Sequence, residues 1–203
     1  MSITANQPFA AKPIRVTSST SLRRAGTWFL QSGIQEETGG VARYYLIDQA
    51  RNARLSTEIT GYAVSALCYL YRETRDSAYF EAACRAGQFL VHRAWSEELR
   101  IVPFEYPPTD VPSENRAFFF DCGIIIRGLI TLWRATGDGE YLETARRCGL
   151  GMARRFEHDG NYAPILQLPG CEATPYGNSW SNNPGCYQLK SALGWLELSY
   201  ETG

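Results

Sequence analysis

Over a window of 22 residues, nine side chains of this sequence recur 62 positions later, in one register and without a gap. Laying residues 70–91 over 132–153 matches Leu70 with Leu132, Arg72 with Arg134, Thr74 with Thr136 and Asp76 with Asp138. The register continues through Tyr79 and Tyr141, Glu81 and Glu143, Ala83 and Ala145, Arg85 and Arg147, and Gly87 and Gly149. A repeat of this length restricts the chain to a stack of one supersecondary unit, in which neighbours bury faces that no single copy can bury alone.

Each copy reads as helix, short turn, helix. In the first, Ala63, Val64, Leu67, Leu70 and Tyr71 recur at three- and four-residue steps, as do Tyr79, Phe80, Ala83, Cys84, Gly87, Leu90 and Val91 after the turn. Asp76 and Asp138 stand where a side chain accepts hydrogen bonds from the free N–H groups of the following helix. The first helix of the second copy, "CGIIIRGLITLWRATG", is apolar on nearly every side and must be enclosed, so the first helix of each hairpin is expected inside and the second outside. Gly123 and Gly128 would let inner helices approach closely, and Trp133 and Trp195 are expected in the core.

A third inner helix starts near Cys186, with Leu189, Ala192, Leu193, Leu196 and Tyr200 at helical spacing, and reaches "ELSYETG". In both earlier copies that phrase is the bend of a hairpin, so a return helix is expected next. Upstream, "SSTSLRRAGTWFLQSGIQ" reads as the outer helix of a preceding hairpin. The expected organisation is a flexible segment over 1–17 and one α/α hairpin domain over 18–203, with repeats at 58–95 and 120–156 and an incomplete one at 186–203. The loops at 36–57, 96–117 and 157–185 are long enough to carry function, and "ARYYLID" within the first is expected as a short strand.

Charge excludes one class of partner. Twenty Lys and Arg are cancelled by 21 Asp and Glu, which leaves no electrostatic footprint for nucleic acid. No apolar run reaches membrane-spanning length and the start lacks a signal-peptide core, so a cytoplasmic protein without a membrane partner is expected. Cys68, Cys84 and Cys148 fall within helical patterns as small buried hydrophobes, whereas Cys171 and Cys186 flank a loop and could bridge in an oxidising compartment.

The phrases "STEITGYAVSALCYLYRETRD", "FFFDCGIIIRGLITLWRATGD" and "CYQLKSALGWLELSYETG" resemble the hairpins of the six-hairpin glycosidases and their relatives, over roughly residues 20 to 203. The resemblance implies an all-α fold, a helical-hairpin array forming part of an (α/α)6 toroid. Such a ring needs about six hairpins, so a missing C-terminal half or a homodimer is implied. It also implies a saccharide substrate held where loops enter the inner helices. Hydrolases, lyases, epimerases and cyclases share such a ring, so the resemblance specifies architecture more than reaction.

Glu58 and Asp121 stand at the starts of the first two inner helices, the repeat offset carrying Glu58 to Phe120, one residue short of Asp121. Two acids entering one cavity at the same end suit acid/base cleavage of a glycosidic bond, with burial beside Phe118, Phe119 and Phe120 raising one of them. The unsaturated glucuronyl hydrolases resemble this further, drawing acids from successive inner helices. The competing reading is that both acids merely cap their helices. Glu105 and Asp110 are reserve acids. Tyr44, Tyr45, Tyr106, Tyr176, Trp180 and Tyr187 could stack on sugar faces or simply cover the rim of the core. With His92 late on an outer helix and His158 alone in a loop, a histidine-dependent epimerase is disfavoured. No cofactor is expected. A zinc-dependent cyclase-type toroid, using Asp121, Cys122, His158 and Cys186, remains an alternative without diagnostic spacing. A non-catalytic scaffold completed by a partner is the other, because an open half-ring exposes apolar sides.

Overall fold

The structure is a computed structural model that describes residues 19–185 and 188–203; Cys186, Tyr187 and residues 1–18, which include the segment expected to be flexible, lie outside the described residues. Six helices carry the architecture: α1 (Ser19–Gln31), α2 (Thr57–Thr74), α3 (Ser77–Phe89), α4 (Phe119–Thr136), α5 (Gly139–Arg155) and α6 (Leu189–Thr202). Helix α4 packs between α2 and α6 as the middle of three inner helices, while α3 returns against α2 and α5 against α4. Helix α1 lies against α2 and α3.

The reason for this layering is visible in α4. Ile125, Ile126, Leu129, Ile130 and Leu132 are all fully buried, and each contributes about 1.5–3 kcal/mol when removed from water. Those five form one broad face, and the buried Asp121, Gly123, Ile124 and Gly128 continue it around the helix, so α4 is stable only when covered on nearly every side. The inner helices approach at glycine. A methyl at Gly123 would lie 2.5 Å from the Ser191 Cα on α6, so only hydrogen fits. Trp133 and Trp195 are partly buried against the core, and the Trp195 indole donates to the Gly149 carbonyl at 3.0 Å.

Both hairpin bends use the expected chemistry. The Asp76 carboxylate accepts from the Ala78 N–H at 3.1 Å, and Asp138 accepts from Glu140 N–H at 3.0 Å. Before each cap the chain must turn left-handed. Gly137 does so at φ 75°, whereas the first bend uses Arg75 at φ 59°. Helix α3 ends in a π-helical turn, Leu90–Ala94.

The connections are short strands: β1 (Val41–Ala42), β2 (Tyr45–Leu46), β3 (Arg51–Asn52), β4 (Leu55–Ser56), β5 (Glu105–Tyr106), β6 (Arg116–Phe118), β7 (Glu157–His158), β8 (Asn161–Tyr162), β9 (Ile165–Gln167) and β10 (Glu172–Ala173). They form two antiparallel sheets, ordered β1-β4-β5 and β10-β9-β6, and the hairpins β2-β3 and β7-β8. "ARYYLID" is therefore not one strand. It divides because Ala42 pairs with Leu55 in one sheet and Tyr45 with Asn52 in a separate hairpin. Strand β4 runs directly into α2, and β6 runs directly into α4. Each sheet thus anchors the first turn of an inner helix, which is where Glu58 and Asp121 lie.

Among the described residues no helix is long and apolar enough to cross a membrane. Of the two candidates for a bridge, Cys171 is a buried free thiol and Cys186 lies outside the described residues.

Candidate active site

Helix α2 starts on a network that leaves Glu58 spare. The Ser56 hydroxyl accepts from Ile59 N–H at 3.2 Å and is the cap. Thr57 donates to the Pro103 carbonyl at 2.6 Å, and Thr60 donates to the Ser56 carbonyl at 2.7 Å while accepting from Val41 N–H at 2.9 Å. The start of α4 is fixed by backbone instead: Phe119 N–H donates to the Pro164 carbonyl at 3.0 Å, and the capping position, Phe118, has no side-chain acceptor. Neither acid is the cap of its helix.

Asp121 is only 3% exposed, and its Oδ2 has no hydrogen-bond partner. Burial, reinforced by the charge of Glu58 and by Cys122, pushes its carboxyl well above the ordinary carboxylate range, with Arg43 opposing. Glu58 is half-buried. Its carboxyl is also raised by burial, but Lys190 and Arg43 both pull it back. The structure therefore brings the two acids into electrostatic contact in unlike surroundings, one enclosed and inclined to keep its proton, the other half-buried and flanked by cations.

Aromatic rings and cations build the surroundings. Phe104 and Phe118 pack with ring centroids 4.8 Å apart, and the Arg43 guanidinium lies 4.9 Å from the Phe104 ring and 5.7 Å from that of Tyr44. Glu105 pairs with Arg43 at 3.2 Å and with Arg54 at 3.4 Å, so this reserve acid is tied up in ion pairs. The Lys190 ammonium donates to the Tyr62 hydroxyl at 2.7 Å.

The loop aromatics disperse. Tyr45 is exposed on β2, and Tyr106 packs edge-on against Phe89 at 5.3 Å. Tyr176 belongs to a small cavity with His158 and Asn161, Trp180 is exposed in a 3-10 turn, and Tyr187 lies outside the described residues. Asp110 is exposed, and His92 stands 3.5 Å from Glu140 in the outer layer. Among the described residues no three His, Cys, Asp or Glu side chains gather as metal ligands.

A cavity of about 710 Å³ lies beside the acids without centring on them. It begins at Tyr62, one turn beyond Glu58, and follows the α2/α4 groove past Ser65, Tyr69, Ile124, Arg127 and Arg134. Arg127 is held by Glu197 of α6 at 2.7 Å, so α6 braces one residue of that groove. Arg43, Tyr62 and Lys190 are the neighbours that sequence reasoning missed. One signal was present: only two of the 20 cationic side chains are lysines, Lys12 and Lys190, and the second opens an inner helix.

No family model and no curated protein matches the chain. Solved structures do. The chain is similar to a cellobiose 2-epimerase from Bacillus thermoamylovorans, with TM-score 0.69, 15% identity, and cover of 90% of this chain and 51% of that one. It is similar to a D-mannose isomerase, with TM-score 0.65, 14% identity and 92% and 52% cover. It is also similar to an α-mannanase from Bacteroides thetaiotaomicron, with TM-score 0.62, 17% identity and 80% and 43% cover. The fold is that of part of an (α/α) toroid, and the chain spans about half the length of the structures it matches.

Proposed function

We propose that the chain is a saccharide-acting enzyme, or part of one, in which Asp121 serves as general acid and Glu58 as general base or charge stabiliser. The observation that carries this reading is the enclosed Asp121 carboxyl, whose Oδ2 has no hydrogen-bond partner, in electrostatic contact with the half-buried Glu58. Protonating a departing sugar oxygen requires a carboxyl that holds its proton more tightly than an ordinary carboxylate, and burial moves Asp121 in that direction. The second carboxyl then activates water or steadies developing positive charge on the ring. Epimerases and an isomerase are among the matched structures, but hydrolytic or lyase-type chemistry suits two carboxyls better than it suits His92 and His158, which stand elsewhere. Screening oligosaccharides, including unsaturated uronides, against the wild-type chain, Asp121→Asn and Glu58→Gln tests the reading. Turnover that survives both substitutions ends it.

A second reading rests on α6. Leu189, Leu193, Leu196 and Tyr200 form an exposed stripe, Leu189 at 70% and Tyr200 at 76% exposure. The stripe lies on the helix that would receive the next inner helix of the array, and the matched structures are about twice as long. We propose that further helical hairpins of the same ring cover it, so that catalysis requires the completed ring. Light scattering distinguishes the outcomes: a monomer with no tendency to associate counts against a covered face, and a discrete dimer assigns the cover to a second copy. A cytoplasmic location is supported by the free thiols of Cys68, Cys84, Cys122, Cys148 and Cys171.

A further inference from the structure

Two acids at equivalent helix starts need something that makes them unequal. Burial does part of this, but Arg43 cannot do the rest, because it acts on both carboxyls. We propose that Lys190 is a positioning residue that singles out Glu58 as the ionised partner and leaves Asp121 as the proton donor. The inference rests on the acid/base reading of the site and adds the group that divides the roles.

The placement is specific. Lys190 lies in the first turn of α6, and its ammonium donates to Tyr62 Oη at 2.7 Å. It stands 4.7 Å from the Tyr62 ring centroid and 5.6 Å from that of Phe120. Tyr62 is one helical turn after Glu58 on the same face of α2, and Phe120 immediately precedes Asp121 on α4. The cation is therefore lodged between the two acid-bearing helices. Its own helix cannot slide, since Ser191 is fully buried against Gly123 and donates to the Phe120 carbonyl at 3.3 Å.

Charges from every neighbouring element support the assignment. Glu58 faces Asp121 from α4, Lys190 from α6 and Arg43 from the link between β1 and β2, whereas Asp121 faces Glu58, Cys122 and Arg43. Arg43 is further engaged by Glu105. Lys190 is the cation that acts on Glu58 without acting equally on Asp121. An ammonium suits this task better than a guanidinium, because it is a compact charge that fits over a ring edge while donating to a single phenol.

The test is a carboxyl ¹³C NMR titration of the whole chain, with Glu58→Gln and Asp121→Asn assigning the two signals. In Lys190→Met the Glu58 midpoint is expected to move up, and to move further than that of Asp121; Lys190→Arg, which keeps the charge in a bulkier group, is expected to restore part of the difference. Lys190→Gln, which keeps a donor for Tyr62, is the second variant, and circular dichroism verifies that each is folded. A Glu58 midpoint unchanged in both Lys190→Met and Lys190→Gln overturns the proposal. No saccharide enters this experiment, so failure to find turnover leaves the titration result intact, and a flat titration removes the role of Lys190 even if turnover is found.

Discussion

Gly128 on α4 lies directly against Gly61 on α2: a methyl group at Gly128 would sit 2.6 Å from the Gly61 carbonyl oxygen. Two inner helices touch here through backbone, and the close approach sets how near their first turns, and hence the two acids, can come. Gly128→Ala is expected to destabilise by about 1–3 kcal/mol, as overpacking of a filled core does. Gly139 provides the control, because a methyl group there would meet nothing within 4 Å, and Gly139→Ala should show no such loss in urea unfolding.

Where turnover of a saccharide is found, Asp121→Asn and Glu58→Gln are each expected to lower kcat by roughly 10²–10⁴-fold, the range of a lost acid or base. Asp110→Asn, at an exposed loop position, is expected to change it little. Equal small effects in all three variants would exclude the pair as catalytic.

The raised carboxyls make stability depend on pH in a defined direction. Asp121 binds its proton more tightly folded than unfolded, so its contribution is full below the unfolded value of about 4 and declines as pH rises through the folded one. Glu58 adds in the same sense. Asp121→Asn removes the more deeply buried of the two carboxyls, so melting temperatures measured from pH 4 to 8 are expected to fall less steeply in the variant, which gains on wild type as pH rises.

At the first hairpin bend, Arg75 holds φ at 59° where the second bend has Gly137 at 75°. A side chain in this left-handed region costs roughly 1 kcal/mol relative to glycine. Arg75→Gly is expected to recover part of that, raising Tm by about 1–2 °C for a chain of this size. A decrease would show that the Arg75 side chain contributes more than its backbone strain costs.

How far the sequence could be read depended on whether a feature repeats. The hairpins were legible because Asp76 and Asp138, or Leu70 and Leu132, carry one signal twice, and because an all-round apolar helix such as α4 has few places to go. Glu58 and Asp121 were legible as acids at helix starts, yet the capping alternative could be set aside only once Ser56 was seen to cap α2. Lys190 and Arg43 were not legible as neighbours of that pair. They arrive from α6 and from the link after β1, at separations of 132 and 15 residues from Glu58, and no local pattern encodes a meeting of that kind. The split of "ARYYLID" likewise depends on partners, Leu55 and Asn52, that belong to different sheets.

Helices α2 and α4 begin at matching points of the repeat, but Glu58 is the second residue of its helix and Asp121 the third. One residue on an α-helix is a rotation of about 100°. A strict copy would have produced two acids in like environments, with no reason for a proton to prefer either. The displacement by one position breaks that symmetry: it encloses one carboxyl and leaves the other half-buried, so a duplicated scaffold yields two chemically different instruments.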